Sequence, residues 1–502
     1  MTRQELTAYM ESILPADRES MDAARRRQAE LAKPPGSLGV LEDMSVRLAG
    51  VLRTTRPEVR RCRVTVLAAD NGVVAEGVSC APQSVTVQQA VNMTRHKTGM
   101  SALAAYFGDD VQVVDVGIRT PVPCPQVLDR KVRFSTGDIA VEPAMTEQQA
   151  LDALAVGLDL ARQAKAEGIG AVGVGEMGIG NTTTSAAVLA ALTGASVEEV
   201  TGRGGGLTDR GFATKKRVLR QALALHRPDA GDPIGVLAAV GGLDLAAMTG
   251  LFLGCAHEGL AAAVDGYISI VAALCAVRLC PRVRDYLFLS HASYEIGYRL
   301  AARELGLEPC LLLGMRLGEG SGCPLLFRIL QGACAVLNHM ATFPEAAIED
   351  GYLAPIREGT HSRWTNHENF TSWRQQKRKE HAGPAADPAA GRWRAHDLLG
   401  HPGAPGHGGP GHRPPPPGGA GRLGLRDPGA GPCPAGGSGA GAPGGRGAVR
   451  QRHGVPGVPD VLRPAAGRRS RRPDGPGAAD RQPASPALRV RVRRAVAGRR
   501  DL

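Results

Sequence analysis

One glutamate in the sequence is surrounded by small residues in a way that suits proton transfer. Residues 314–323, GMRLGEGSGC, place Glu319 between two glycines. Small neighbours let a substrate approach the carboxylate closely, and a partly desolvated glutamate is a reasonable general base. The alternative is a surface turn whose glutamate simply faces water. This segment alone does not decide between the two.

A glycine-rich segment at residues 173–184, GVGEMGIGNTTT, predicts a strand that runs into an anion-binding loop. Glycines let backbone N–H groups approach a phosphate, and Asn181 and the threonines can cap a helix that begins near Ser185. Glu176 suits ribose hydroxyls or a base better than a phosphate. The alternative is a tight turn in which glycine serves packing. The spacing fits neither a P-loop nor a dinucleotide fingerprint.

A second glycine cluster, GRGGGLTD at residues 202–209, leads into a predicted helix that carries Lys215, Lys216 and Arg217. A lysine near such a loop can neutralise a phosphate as a point charge. The alternative is an Ω-type loop followed by a solvated basic face.

These segments need a regular scaffold, and the sequence predicts one of the α/β class. Residues 1–60 are predicted to be helical, with a break at residues 34–37. Short β-branched runs then alternate with longer Ala-rich stretches, which is typical of a buried parallel sheet with helices between its strands. The predicted strands are residues 63–70, 111–117, 169–176, 239–244 and 287–291. Right-handed crossovers bring the carboxyl ends of such strands to one edge, where ligands bind.

Further polar residues follow two of the predicted strands. Asp70 and Asn71 come after the first strand, and His291 and Ser293 come after the last. Neither pair alone is good evidence of a catalytic site. A single histidine after a strand, for example, is more often structural than catalytic.

The charge of the chain is divided unevenly along its length. Residues 351–502 contain 26 Lys and Arg against 10 Asp and Glu, so residues 1–350 carry −4 of the overall +12. A mildly acidic folded part argues against nucleic acid or an anionic membrane surface as its main partner, and favours small molecules.

Composition predicts that the basic end of the chain does not fold. Beyond Phe370 there is no Ile, Met, Tyr or Phe, and Gly, Pro, Ala and Arg dominate. Too few apolar residues remain there to build a core. We interpret residues 351–502 as a tail translated from GC-rich DNA in a shifted frame; a natural disordered extension is the alternative. If that extension is real, its basic composition favours weak nucleic-acid binding.

Cysteine usage and the amino terminus predict a cytoplasmic protein. The ten cysteines form no CxxC pair, which fits reduced buried thiols better than disulfides or a zinc site. The first 20 residues contain no apolar stretch of the kind found in signal peptides. The apolar run at residues 260–279 is interrupted by polar residues and is predicted to be one buried helix rather than a membrane span.

Taken together, in order and spacing, these segments resemble the family of nicotinate-nucleotide dimethylbenzimidazole phosphoribosyltransferases over about residues 5–347. The most specific matches are GEMGIGNTT (175–183) and MRLGEGSG (315–322). The other matching segments are KPPGSLGVLE (33–42), AADNGVVAEGVS (68–79), VTVQQAVNM (85–93), DVGI (115–118), PAMT (143–146), the 202–209 loop with Lys215, VGGLDLAAMTG (240–250), DGYIS (265–269) and SHASYEIGY (290–298).

The resemblance implies both a fold and an activity. The expected fold is a parallel, Rossmann-like sheet with helices on both faces. A small helical domain, from residues 1–60 and about 320–350, completes a phosphoribosyltransferase domain at residues 1–350. The expected reaction moves the phosphoribosyl group of nicotinate mononucleotide to 5,6-dimethylbenzimidazole, a step of cobalamin biosynthesis. Homodimers that use no metal or cofactor are also implied.

The resemblance also implies roles for individual residues. Glu319 matches the carboxylate proposed to take the proton from dimethylbenzimidazole. Other positions are implied to bind substrate: Glu176, Gly178, Lys215 and Ser293 the mononucleotide, together with Gly180 and Asn181 of the same glycine loop; Gln89 and Met315 the benzimidazole, with Ser79 and Leu317 beside that pocket.

The match to the family has departures. The family usually has histidine where Tyr298 stands, and an aromatic residue and glutamate where Leu243 and Asp244 stand. We expect neither change to touch the residues assigned to the site. A dinucleotide-dependent oxidoreductase is the leading alternative from the glycine loop alone, but the acidic residue expected at the end of a second strand is missing.

Overall fold

The computed structural model describes residues 1–354, so the predicted tail lies outside the described residues from position 355 onward. The α-helices are α1 (Arg3–Ser12), α2 (Arg18–Glu30), α3 (Val40–Leu52), α4 (Ser84–Thr94), α5 (Gly99–Phe107), α6 (Glu147–Ala166), α7 (Asn181–Thr193), α8 (Val197–Val200), α9 (Asp209–His226), α10 (Pro233–Val240), α11 (Leu243–Glu258), α12 (Tyr267–Leu279), α13 (Tyr298–Leu305) and α14 (Cys323–His339). Short 3-10 helices lie at Gly72–Glu76, Pro281–Tyr286 and Gly351–Leu353.

Six strands form one parallel sheet in the order β3-β2-β1-β4-β5-β6. They are β1 (Cys62–Ala69), β2 (Asp110–Gly117), β3 (Val127–Asp129), β4 (Ala171–Met177), β5 (Ala261–Val264) and β6 (Leu287–Leu289). The central strands β1 and β4 are buried along their whole length, as expected for strands covered on both faces. The predicted α/β class with a parallel sheet is confirmed.

Close helix packing on the sheet depends on glycine. A Cβ on Gly157 of α6 would overlap the backbone of α11, and a Cβ on Gly250 of α11 would overlap the backbone of α6. Small residues at both positions let the two helix axes approach and bury nearly all of α11. Helices from both ends of the described chain also pack together, because Ala24 of α2, Val46 and Ala49 of α3 and Leu337 of α14 share one apolar cluster.

Two predictions from apolar runs were wrong. Residues 239–244 are not a strand: α10 ends at Val240, a Gly241–Gly242 break follows, and α11 begins at Leu243. Residues 260–279 are not one helix, because β5 lies at Ala261–Val264 and α12 begins only at Tyr267. Short buried runs carry no periodicity that separates strand from helix, and the alanines of β5 have little strand preference of their own.

The sheet brings its polar strand ends to one edge. Asp70 follows β1, Glu176 lies at the end of β4, Asp265 follows β5 and His291 comes shortly after β6. All four side chains are buried. None of the helices in residues 1–354 is both long and apolar enough to cross a membrane.

Candidate active site

A cavity of about 260 Å³ opens at the carboxyl ends of the strands, and it contains most of the predicted site. Nine of the eleven predicted residues line it: Ser79, Gln89, Glu176, Gly178, Gly180, Asn181, Ser293, Leu317 and Glu319. The other two, Lys215 and Met315, lie outside the lining. The fold therefore brings together residues from segments that are up to 240 positions apart in the chain.

The two glutamates singled out by sequence are direct neighbours. The backbone N–H of Glu319 donates a hydrogen bond to Oε1 of Glu176 at 3.2 Å. Glu319 itself has a φ of 64°, in the left-handed region that non-glycine residues rarely adopt. Gly318 packs so closely that a Cβ there would overlap Oε1 of Glu176. The loop that carries Glu319 is thus docked against the glycine-rich loop after β4.

The carboxyl group of Glu319 is buried, which excludes the water-facing turn. The residue is 6% exposed, and Gln89 donates from Nε2 to its Oε1 at 3.4 Å. Its other oxygen, Oε2, is buried without a hydrogen-bond partner. Burial raises the pKa of Glu319 above its ordinary value, against the lowering influence of Thr98 and the backbone of Met100. A raised pKa and an unpartnered oxygen both suit a group that accepts a proton.

Glu176 shares its surroundings with a second carboxyl group that sequence reasoning set aside. The side-chain amide of Asn181 donates to Oε2 of Glu176 at 2.5 Å and to Oδ2 of Asp244 at 3.2 Å. Burial, with the nearby Asp244, raises the pKa of Glu176 to about 8, and burial raises the pKa of Asp244 to about 6. The expectation that the change at Asp244 leaves the site untouched was therefore wrong, because Asn181 bridges the two carboxyl groups.

Lys215 is fully buried beneath the cavity. Its Nζ donates to Oγ1 of Thr182 at 2.8 Å and to the carbonyl oxygen of Gly202 at 3.2 Å. Burial lowers the pKa of Lys215 to about 8. The alternative of a solvated basic face is wrong for this lysine, although Arg217 on the same helix is exposed. Because Thr182 lines the cavity, Lys215 reaches it through that hydroxyl.

The glycine-rich loop after β4 combines close packing with an open face. A Cβ on Gly178 would overlap the carbonyl oxygen of Ala69, and Gly180 has a φ of 96° with Val74 beside it. Packing therefore accounts for both glycines, as the alternative of a tight turn predicts, while both also line the cavity. Helix α7 begins at Asn181, four residues earlier than predicted, so its amino end faces the cavity.

The remaining four predicted residues lie at or near the cavity and differ in their hydrogen bonds and exposure. Ser79 donates from Oγ to the carbonyl oxygen of Ala81 at 3.1 Å, and Ser293 Oγ accepts the backbone N–H of Glu295 at 3.4 Å. Leu317 is 56% exposed at the cavity rim. Met315 is half-buried, and its carbonyl oxygen accepts the N–H of Tyr294 at 3.0 Å.

Asp265 is a residue that sequence reasoning missed. Its carboxylate accepts the N–H of Gly320 at 3.1 Å and that of Gly322 at 2.7 Å, on the loop that carries Glu319. The ring of His291 lies 3.8 Å from the same carboxylate. The signal was present as DGYIS, but without recognition of β5 the aspartate did not stand out as a strand end. His291 is fully buried there and does not line the cavity.

A parallel sheet whose carboxyl edge holds paired buried glutamates, glycine-rich turns and a buried lysine defines an enzyme that handles a phosphorylated nucleotide. Residues 13–348 match a family model described as phosphoribosyltransferase. The chain belongs to the family of nicotinate-nucleotide–dimethylbenzimidazole phosphoribosyltransferases, and it is a transferase.

Relatives and solved structures agree on this family. The chain is 45% identical over 353 residues to the nicotinate-nucleotide–dimethylbenzimidazole phosphoribosyltransferase of Clostridium perfringens, which covers 70% of this chain and 98% of the relative. It is 45% identical over 347 residues to the enzyme of the same name from Geobacter sulfurreducens, covering 69% and 99%. The crystal structure of CobT from Thermus thermophilus is similar with a TM-score of 0.64 and 43% identity, covering 66% of this chain and all of that one.

Proposed function

We propose that this enzyme transfers the phosphoribosyl group of nicotinate mononucleotide to 5,6-dimethylbenzimidazole, giving α-ribazole 5′-phosphate and nicotinate for cobalamin biosynthesis. The observation that carries the proposal is the contact between Glu176 and Glu319 in one cavity at the carboxyl edge of the sheet. The names of the relatives describe the same two substrates.

The leaving group of this reaction needs little assistance from the enzyme. Nicotinate bonded through its ring nitrogen is cationic and departs as a neutral pyridine ring, so no strong acid is required. The enzyme must hold the anomeric carbon against the incoming ring nitrogen and remove the proton from the other nitrogen. Glu319, buried with one free carboxylate oxygen, is assigned that proton. Attack opposite the leaving group converts the β nucleotide into the α riboside.

The other site residues divide between the two substrates. Lys215, with Gly178, Gly180, Asn181 and Ser293, is assigned to the mononucleotide and its phosphate, and Glu176 to the ribose. Lys215 acts through Thr182, as its 2.8 Å hydrogen bond supports. The benzimidazole is assigned to the region bounded by Ser79, Gln89, Met315 and Leu317.

The test of the proposed function is a direct assay. The full chain is incubated with nicotinate mononucleotide and dimethylbenzimidazole, and the products are separated and identified by mass. We expect equal amounts of α-ribazole phosphate and free nicotinate. Release of nicotinate without formation of the riboside would instead indicate a hydrolase and would refute the transfer.

Two properties of the whole enzyme belong to the same proposal. We infer a cytoplasmic homodimer built from phosphoribosyltransferase domains at residues 1–350, with the helical ends contributing a small domain. Light scattering coupled to size exclusion measures the assembly directly. A mass equal to one chain at micromolar concentration would contradict the dimer.

A further inference from the structure

Arg316 is a cavity-lining cation without an ion-pair partner in the described part of the chain. It is exposed and lines the cavity, in the loop that leads to Glu319. No salt bridge within residues 1–354 involves it. Its one described contact is with the ring of Tyr294, whose centroid lies 5.6 Å from the guanidinium carbon.

The other cations at the cavity are already engaged. Arg203 pairs with Asp209 at 2.6 Å and donates to the carbonyl oxygen of Leu207 at 3.0 Å. Lys215 is held by Thr182 and by the carbonyl oxygen of Gly202. Both belong to the glycine cluster at residues 202–209 and the helix after it, and the proposed function assigns Lys215 of that helix to the mononucleotide and its phosphate. Arg316 belongs to a different loop and is left for another anionic group.

Backbone contacts hold the loop of Arg316 at the catalytic carboxyl groups. The N–H of Tyr294 donates to the carbonyl oxygen of Met315 at 3.0 Å, so the aromatic ring and the arginine are fixed next to each other. Three residues beyond Arg316, the N–H of Glu319 is bonded to Glu176. Arg316 is therefore anchored through the backbone of the loop that carries Glu319, and it lines the same cavity as Glu176 and Glu319.

The substrate of the proposed reaction carries one anionic group for which no partner has been assigned. Nicotinate mononucleotide has a phosphate and a ring carboxylate, whereas dimethylbenzimidazole has no anionic group. Three carboxyl groups, those of Glu176, Glu295 and Glu319, already line the cavity. A further carboxylate placed among them without a cation is opposed by desolvation.

We propose that Arg316 binds the ring carboxylate of nicotinate mononucleotide and so selects the acid nucleotide over the corresponding amide. The planar guanidinium matches a carboxylate with two parallel hydrogen bonds, which a neutral carboxamide cannot reproduce. This inference rests on the proposed function and adds to it the group that recognises the leaving base. Arg316 is a specificity-determining residue in this assignment.

The experiment compares two ligands that differ only at this group. Binding of nicotinate mononucleotide and of nicotinamide mononucleotide is measured by calorimetry without an acceptor base, so that no turnover occurs. In Arg316→Gln we expect the dissociation constant for the acid to rise about 10- to 100-fold, as for a charge-assisted hydrogen bond, and that for the amide to change less than about threefold. Arg316→Lys should recover part of the difference.

Two further variants serve as controls. Lys215→Met should weaken both nucleotides alike, since both carry the phosphate to which Lys215 is assigned, and the exposed Arg299→Gln on α13 should leave both unchanged. Equal losses in Arg316→Gln, no loss at all, or a wild-type enzyme that does not distinguish the two ligands would overturn the inference. If the wild type turns over normally in those cases, the proposed function stands; if it binds neither nucleotide, both fail.

Discussion

Glu319 carries the proton transfer in the proposed reaction, so its replacement isolates that step. Glu319→Gln keeps the shape of the side chain and can still meet Gln89, but it cannot accept a proton. We expect kcat to fall by about 100-fold or more, as general-base removal does, while the dissociation constant for the mononucleotide changes less than about threefold. Steady-state kinetics and calorimetry measure the two quantities.

A matched surface substitution controls for the general effect of changing glutamate to glutamine. Glu11→Gln lies on the exposed side of α1 and should leave kcat unchanged. The pH profile adds an independent check: because burial raises the pKa of Glu319 in the free enzyme, the acid limb of kcat/KM should lie above the ordinary range for glutamate. Activity that is unchanged in Glu319→Gln would remove the assignment of the base.

Lys215 predicts a proton exchange that accompanies binding. Its pKa of about 8 means that the free enzyme is about half-protonated at this position at pH 8. A phosphate dianion nearby favours the charged form, so binding should take up about half a proton at pH 8 and less at pH 6. Calorimetry in buffers with different ionisation enthalpies measures the uptake.

The control for this linkage is Lys215→Met, which fills the same buried space without a charge. We expect weaker mononucleotide binding and a smaller uptake of protons. Glu176 also has a raised pKa and could take up a proton, so an uptake that persists in full in Lys215→Met would assign the linkage to Glu176 instead.

At the scale of residues, the sequence alone could single out candidate site residues better than it could predict which residues they contact. Glu176 and Glu319 were recognisable because each lies in a motif of small residues with an unusual composition. Asp244 and Asp265 were not, because their importance arises from contacts with Asn181 and Gly320, which are distant in sequence. A hydrogen bond that links residues 143 positions apart leaves no local pattern.

At the scale of elements, the loop of Glu319 depends on glycine for two separate reasons. Gly318 and Gly314 both have positive φ, at 80° and 65°, and alanine at either position costs about 1 kcal/mol of backbone strain. Only Gly318 also lies against Glu176, whereas nothing is within 4 Å of a Cβ on Gly314. Alanine variants at these two positions therefore separate the effect of backbone strain from the effect of displacing Glu176.

We therefore expect Gly318→Ala to lower kcat/KM by about tenfold or more, and Gly314→Ala to change it by less than about threefold. Both variants should lose unfolding free energy from backbone strain, and Gly318→Ala should lose more, because its Cβ also overlaps Glu176. Kinetics on the two variants, with denaturant unfolding alongside, test the difference. Equal kinetic effects would mean that the contact with Glu176 does not position the catalytic loop.

The elements also explain which parts of the fold could be predicted. The central strands β1 and β4 were found because valine-rich runs precede glycine and polar residues. Strand β5 was missed because three of its four residues are alanine, and it is a strand only because β4 and β6 pair with it on either side. Where tertiary pairing decides, local preference is a poor guide.

At the scale of the whole molecule, buried carboxyl groups make stability depend on pH. The pKa of Glu176 rises from 4.5 to about 8 on folding, so its contribution to stability is fully present below about pH 4.5 and is lost as pH rises through about 8. Between these values the free energy of unfolding should fall by up to about 1 kcal/mol per pH unit. Asp244, whose pKa is about 6, adds a loss of the same sign.

Glu176→Gln isolates this contribution, because glutamine does not ionise. We expect denaturant unfolding between pH 5 and 8 to give a shallower pH dependence for the variant than for the wild type, with Glu11→Gln as the surface control. Lys215, whose pKa is lowered to about 8, adds a change of opposite sign near the top of this range, but it does so in variant and wild type alike, so the difference between the two profiles still reports Glu176. Parallel pH profiles for variant and wild type would contradict a protonated Glu176 at neutral pH.

We expect the part of the chain that matches the family to be sufficient for catalysis. Relatives are matched over 98–99% of their length by about 70% of this chain, and the family model ends at residue 348. All assigned site residues precede residue 320. Ending the chain after Ala354 should therefore leave kcat/KM within about twofold of the full-length value.

The same truncation also tests what the positive charge of residues 355–502 contributes. It removes 26 Lys and Arg and 10 Asp and Glu, leaving a net charge of −4. Any affinity of the full chain for nucleic acid should disappear with those residues, since binding of this kind depends on neutralising phosphates with basic side chains. A shortened chain that still folds but loses more than about tenfold in activity would show that residues beyond 354 contribute to the enzyme, and that the family domain alone is insufficient.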